Sequence, residues 1–169
     1  DVLAALEKGH TRADILHALK LMQKVGIPLR PSLLPFTPWT TLHDYLELLA
    51  FVRENDLVDH IDPVQYSLRL LIPPGSALLV KHTPAAWLGE LDAAGFSYDW
   101  VHPDGRMEDL QKQVSARVEK AARQGEPARS TFAAVEELAS ALAGVAPPSP
   151  RMVPQRRPIP AGLTESWFC

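Results

Sequence analysis

Asp62-Pro63-Val64-Gln65-Tyr66-Ser67-Leu68-Arg69-Leu70-Leu71-Ile72-Pro73-Pro74-Gly75 is the stretch that decides the fold class. Val64 to Ile72 reads as a β-strand, stopped by the Pro-Pro-Gly that follows. Successive strand side chains point to opposite faces, so Gln65, Ser67 and Arg69 share one face and Val64, Tyr66, Leu68 and Leu70 the other. Upstream, Thr41-Thr-His-Asp44 has the spacing of a capping box and starts a helix to about Asn55. Before that, Ile27 to Phe36 is too short and proline-broken for a helix and reads as a strand running into a loop. Thr11-Arg12-Ala13-Asp14 is a second capping box. It opens a helix through Ile15, Leu16, Leu19, Met22 and Val25, which Gly26 ends in a left-handed cap. Helix, strand, helix, strand is the rhythm of parallel βαβ units, so the first half is expected to be α/β with two to three parallel strands.

Beyond Gly75 the pattern becomes helical. One helix is expected from about Ser76 or Pro84 to Ala94, and a turn at Asp104-Gly105. An amphipathic helix follows from Met107 to about Gln124 through Leu110, Val114 and Val118. Another runs from Thr131 to Leu142, capped by Ser130, with Phe132, Val135, Leu138 and Leu142 on one side. No strand is expected here. Two of the proline-rich zones stand out among the 16 prolines: Pro28 to Pro38, and Pro147 to Pro160 with Arg151, Arg156 and Arg157, which reads as an extended linker. The organisation is then 1–80 as an α/β unit, 81–144 as a helical extension, and 145–169 as a Pro/Arg-rich tail ending in Trp-Phe-Cys.

The chain has 169 residues with 17 Lys+Arg against 20 Asp+Glu, a net charge of −3, which argues against nucleic acid as the partner. No apolar run approaches the ~20 residues of a membrane span, so no membrane partner is expected. A single cysteine, Cys169, excludes a disulfide scaffold and a cysteine-built zinc site. Six histidines form no i,i+4 pair and no His-Glu-x-x-His, so none is read as a metal ligand. The opening at Asp1, without initiator Met or signal sequence, reads as a chain cut from a longer protein, with the cytoplasm as its expected location.

On the two expected strands, Arg30 and Ser32 share a face, as do Gln65, Ser67 and Arg69. Covered parallel strands normally read as near-continuous apolar runs, so two arginines on such faces point to a polar cleft. An arginine fork donates two parallel hydrogen bonds, which suits a carboxylate or phosphate. The alternative is a structural salt bridge with Asp59, Asp62 or Glu47. The loop Pro35-Phe36-Thr37-Pro38-Trp39-Thr40 follows the first strand, where α/β sites gather. Phe36 and Trp39 could wall a pocket there and the Thr37 hydroxyl could orient a ligand; alternatively these residues only pin the helix that follows. No glycine-rich phosphate loop or nucleophile elbow is present.

Four motifs carry a family resemblance: Glu7-Lys8-Gly9-His10-Thr11-Arg12-Ala13-Asp14, Gly26-Ile27-Pro28-Leu29-Arg30-Pro31, Pro35-Phe36-Thr37-Pro38-Trp39-Thr40-Thr41, and Asp62 through Ser76. Together they resemble the second half of a radical S-adenosylmethionine enzyme. The group in question is named for a CUAEP or CCAEP tail, in which selenocysteine or cysteine follows a cysteine, and Glu165-Ser166-Trp167-Phe168-Cys169 is similar to the lead-in to that tail. The resemblance implies the C-terminal part of a partial (β/α)₆ TIM-like barrel that binds a [4Fe–4S] cluster and S-adenosylmethionine. It also implies reductive cleavage of that cofactor to start radical chemistry on a substrate the sequence does not name. Arg30, Ser32, Gln65, Ser67 and Arg69 are then candidate cofactor contacts, Phe36, Thr37 and Trp39 pocket wall, and Cys169 part of a redox tail.

The cluster is held in such enzymes by three cysteines of a CxxxCxxC loop, which this chain lacks, and the glycine-rich G-x-I-x-G-x-x-E pattern of many relatives is absent as well. The chain alone is therefore expected to be inactive and to bind neither group tightly, its partner being the N-terminal half of the same protein. Two other readings remain open: a complete small α/β enzyme such as a hydrolase or isomerase, and a non-catalytic α/β or helical binding module.

Overall fold

The computed structural model describes residues 2–82 and 85–149, and the molecule it shows is built mainly of helices. In chain order these are α1 (Val2–Ala5), α2 (Arg12–Val25), α3 (Leu42–Glu54), α4 (Ala77–His82), α5 (Gly105–Gln124) and α6 (Ala128–Ala143), with 3₁₀ turns at Val58–His60 and Pro63–Ser67. A single antiparallel hairpin, β1 (Leu88–Asp92) and β2 (Ser97–Trp100), is the only sheet among the described residues. The mixed helix-and-strand class expected from the sequence stands in this coarse form; a parallel sheet does not.

Both capping boxes form. Thr11 and Thr41 accept the Asp14 and Asp44 amides, while each aspartate takes the threonine's own N–H, at 2.7 and 2.8 Å. Reciprocal capping satisfies amides that the first helical turn leaves without partners. Thr41→Ala is expected to cost about 1 kcal/mol of stability, read as a lowered urea midpoint with unchanged m-value.

α3, α5 and α6 supply the main core. Tyr45, Leu49 and Val52 of α3 meet Met107, Leu110, Val114 and Val118 of α5 and Phe132, Val135 and Ala139 of α6. The i, i+3, i+4 spacing on α5 places its apolar stripe on one face. Gly125, in the left-handed region at φ 62°, ends α5 so that α6 can double back against it. Leu19 is the one buried residue of α2, so that helix rests more lightly on the body.

The two expected strands are corrected. Ile27 to Phe36 is not a strand: Pro28, Pro31 and Pro35 have no N–H to give a ladder. Val64 to Ile72 begins as the Pro63–Ser67 turn, because Asp62 accepts the Val64 amide at 3.1 Å and Pro63 presets the first turn position. What survives is one parallel bridge, Phe36 to Arg69. There the Phe36 N–H donates to the Leu68 carbonyl at 3.2 Å and the Leu70 N–H donates to the Phe36 carbonyl at 2.8 Å. The chain then runs extended to Ile72, whose carbonyl accepts the Tyr98 N–H of β2 at 2.8 Å.

The helix expected up to Ala94 is also corrected. Only Ala77–His82 is helical, and the following residues make β1 and β2, in a region where no strand was expected. Leu88 pairs with Trp100, Leu91 with Tyr98 and Asp92 with Ser97, with a bulge between Leu88 and Leu91. Gly95 sits at the turn with Asp92 folded close over it: a Cβ there would lie 2.5 Å from Asp92 Oδ2, so a larger residue would displace that carboxylate. A second, smaller apolar cluster gathers under the hairpin: Leu70, Ile72 and Trp100 are buried, with Trp39, Trp87 and Leu88 among the partly covered residues packed on them. Of the tail, 150–169, including Cys169, lies outside the described residues.

Candidate functional site

The sequence-chosen residues fall into three groups. Arg30 and Ser32 lie on the irregular segment before Phe36, Arg30 half-buried and Ser32 exposed. That segment has no ladder and is held by side chains instead. The His60 Nδ1–H donates to the Leu29 carbonyl at 3.0 Å, while Gln65 Oε1 accepts the Leu33 N–H at 3.0 Å and the Ser32 hydroxyl at 3.4 Å. Ser32 and Gln65 are thus brought together, through a 3₁₀ turn rather than a strand.

The second group is the loop before α3. Phe36 is buried in the main core with its ring centroid 5.0 Å from that of Tyr45. Thr37 and Thr40 are buried and share a hydroxyl–hydroxyl hydrogen bond of 2.8 Å, and Thr37 Oγ1 also accepts the Trp39 N–H at 3.3 Å. Only Trp39 faces the smaller cluster, 4.8 Å from the His82 ring and 5.5 Å, edge-on, from Trp87. His82 and Trp87 were not singled out from sequence. Tryptophan residues at 39, 87 and 100 were the signal, since each needs a large apolar surface and they converge on one cluster.

The third group centres on Arg69. Its guanidinium makes a two-pronged ion pair with Glu108, Nη1 to Oε2 and Nη2 to Oε1 both at 2.9 Å. It also donates to the Trp100 carbonyl and lies 3.6 Å above the Trp100 ring. Glu108 accepts the His102 N–H at 2.6 Å as well. His102 in turn donates Nε2–H to the Thr40 carbonyl at 2.9 Å and accepts the Asp104 N–H on Nδ1 at 2.9 Å. Arg69 therefore has the carboxylate partner that its fork geometry suits, but the carboxylate belongs to α5 and not to Asp59, Asp62 or Glu47. Ser67 is buried, its hydroxyl donating to the Val64 carbonyl at 2.9 Å, and its carbonyl accepts Gln111 Nε2 at 3.2 Å. A ligand carboxylate or phosphate at Arg69 would have to displace Glu108.

Burial pushes the Glu108 carboxyl up, but the Arg69 hydrogen bonds, the His102 N–H and the Arg69 charge outweigh it and hold the group below its ordinary value. Asp44 is likewise pushed up by burial and brought below its ordinary value by the Thr41 hydrogen bonds. A carboxyl depressed in the folded state contributes stability that is present above its unfolded pKa of about 4 and is lost as pH falls through the folded value. Glu136 runs the other way: burial raises it despite Arg53, 2.6 Å away, so its contribution is full at low pH and is lost as pH rises. Urea midpoints are expected to fall between pH 5 and pH 3, and Glu108→Gln is expected to flatten that fall.

Among the described residues one buried hydroxyl stands without a partner, Tyr66 Oη, on a ring whose centroid lies 5.4 Å from that of Phe132. Tyr66→Phe removes a desolvated group that makes no hydrogen bond, so stability is expected to stay within about 0.5 kcal/mol of wild type or to rise. A loss above about 1 kcal/mol in urea denaturation would mean that the hydroxyl is satisfied.

Among the described residues no group of three or more His, Cys, Asp or Glu side chains is placed to hold a metal ion, and no helix is long and apolar enough to cross a membrane. No protein-family model, curated protein or solved structure matches the chain.

Proposed function

We propose that this chain is the C-terminal portion of a radical S-adenosylmethionine enzyme and contributes wall and packing rather than the reacting groups. The observation that supports the reading is the parallel bridge between Phe36 and Arg69. At that one point the two motif-bearing runs, residues 26–41 and 62–76, pass each other in the same direction, as neighbouring barrel strands would. A [4Fe–4S] cluster needs thiolate ligands, and Cys169 is the chain's single cysteine, so the residues present do not fit the cluster. Its ligands would come from the N-terminal half of the same protein. Within the proposed cofactor-facing set, Arg30, Ser32 and Gln65 are associated with the irregular segment. Ser67 and Arg69 fix the wall from behind through Val64, Gln111 and Glu108.

A second reading, a non-catalytic binding module, is favoured by the same hydrogen bonds. Arg69, Ser67, Gln65 and Thr37 all spend polar atoms on the protein itself. Sequencing the native gene through both ends, and purifying its full product anaerobically, separates the two. The radical reading expects an in-frame upstream CxxxCxxC and a brown protein with about four irons per chain. Downstream of Cys169 it expects UGA or a cysteine codon followed by Ala-Glu-Pro. A start codon just before Asp1, with UAA or UAG after Cys169 and a colourless product, overturns it and leaves the binding module.

A further inference from the structure

The hairpin is attached to the body differently from α3, α5 and α6. β1 and β2 pack closely on each other, and neither packs comparably on a helix. Its apolar contacts belong to the smaller cluster, in which only Leu70, Ile72 and Trp100 are buried, while α3, α5 and α6 share the main core. Its hydrogen bonds to the rest of the chain run along one side of β2. The Tyr98 N–H donates to the Ile72 carbonyl at 2.8 Å, the Ile72 N–H to Ser97 Oγ at 3.0 Å, and Trp100 Nε1–H to the Leu70 carbonyl at 2.8 Å. β2 therefore takes up the Leu70 and Ile72 backbone groups just beyond the Phe36 bridge on the extended 68–72 segment. From there the connection to α5 passes through the Glu108 carboxylate, beside the His102 Nε2–H bond to the Thr40 carbonyl and the Trp87–Trp39 ring contact. Glu108 grips Arg69, which holds the Trp100 carbonyl and ring, and takes the His102 N–H two residues beyond β2.

We propose that residues 85–101 form a hinged cover over the 68–72 edge, which opens as one unit while the helical core stays folded, and that Glu108 is its latch. Two-stranded hairpins are marginal alone in water, so once undocked the unit loses its protection together. Opening bares the Ile72 carbonyl and the Leu70 and Ile72 side chains, the features of an edge that can accept another strand. The inference stands on the packing and hydrogen bonds alone and is independent of the radical reading.

Amide hydrogen exchange on the full chain, at increasing low denaturant, tests it. In the wild type the Ile72, Tyr98 and Val101 amides are expected to exchange through a common opening that exposes less surface than global unfolding, ahead of mid-helix amides of α3, α5 and α6. Glu108→Gln weakens a contact that both the partial opening and global unfolding break, so the Ile72, Tyr98 and Val101 amides are expected to exchange about tenfold faster or more, the Leu110 and Val135 amides accelerating with them. Val135→Ala, a loss felt only in global unfolding, is expected to speed Leu110 and leave the hairpin amides unchanged. Wild-type hairpin amides that exchange only with the helical core overturn the cover, and this measurement decides the matter even if the variant does not fold. Hairpin amides left unchanged by Glu108→Gln, whether or not Leu110 and Val135 speed up, overturn Glu108 as the latch.

Discussion

Phe36→Ala is expected to lower folding stability by about 3–5 kcal/mol, measured as a fall in the urea midpoint at constant m-value. The side chain is 2% exposed and sits in the main core against Tyr45. Truncation removes a buried ring and leaves a cavity that neighbours on α3 cannot close, since Tyr45 is itself pinned by its hydroxyl donating to the Tyr66 carbonyl at 2.8 Å. The backbone at the same position carries the parallel bridge to Arg69. Loss of the ring therefore loosens the point where residues 26–41 and 62–76 meet. The result separates the two readings of this loop. A pocket-wall phenylalanine exposed to ligand or solvent would cost about 1 kcal/mol or less on truncation, and a change that small would return Phe36 to the pocket.

The helices α2, α3, α5 and α6 were the legible part of this sequence, for a local reason. Thr11/Asp14 and Thr41/Asp44 satisfy their own first-turn amides, and Gly26 and Gly125 end their helices in the left-handed region, so each boundary is set within four residues of itself. The strands depended on partners that lie far along the chain. Val64 to Ile72 has strand-like composition, yet Asp62 and Pro63 are a turn signal, and the side-chain cap to the Val64 amide prevailed over β propensity. The hairpin was missed because its alternation is short and interrupted. Leu88 and Leu91 are set out of simple period by the bulge, and a turn of Ala93-Ala94-Gly95-Phe96 carries only one strong turn residue. Charge partners were the least legible. Glu108 lies 39 residues beyond Arg69, and nothing in local spacing selects it over Asp59, Asp62 or Glu47.

That partner choice sets the second large effect. Arg69→Ala is expected to cost about 2–3 kcal/mol, and Glu108→Ala a similar amount, because each leaves the other's charge partly desolvated without its counter-ion. The side chains are 26% and 19% exposed, which keeps the loss below that of a fully buried pair. Arg69 also surrenders its hydrogen bond to the Trp100 carbonyl and its place over the indole, so it should be the costlier of the two. The double mutant decides the assignment. If the pair acts as one unit, Arg69→Ala/Glu108→Ala costs less than the sum of the singles by at least about 1 kcal/mol. If Arg69 instead serves a ligand and meets Glu108 only incidentally, both singles fall within about 0.5 kcal/mol of wild type and the coupling vanishes. Apolar residues of similar length at both positions refine the point. Arg69→Met/Glu108→Leu is expected to recover much of the lost stability, since a buried ion pair contributes less net stability than its removal by halves suggests. The carboxylate that the arginine fork selects would then be a fixture of the fold, and the cofactor-binding reading would rest on Arg30, Ser32 and Gln65.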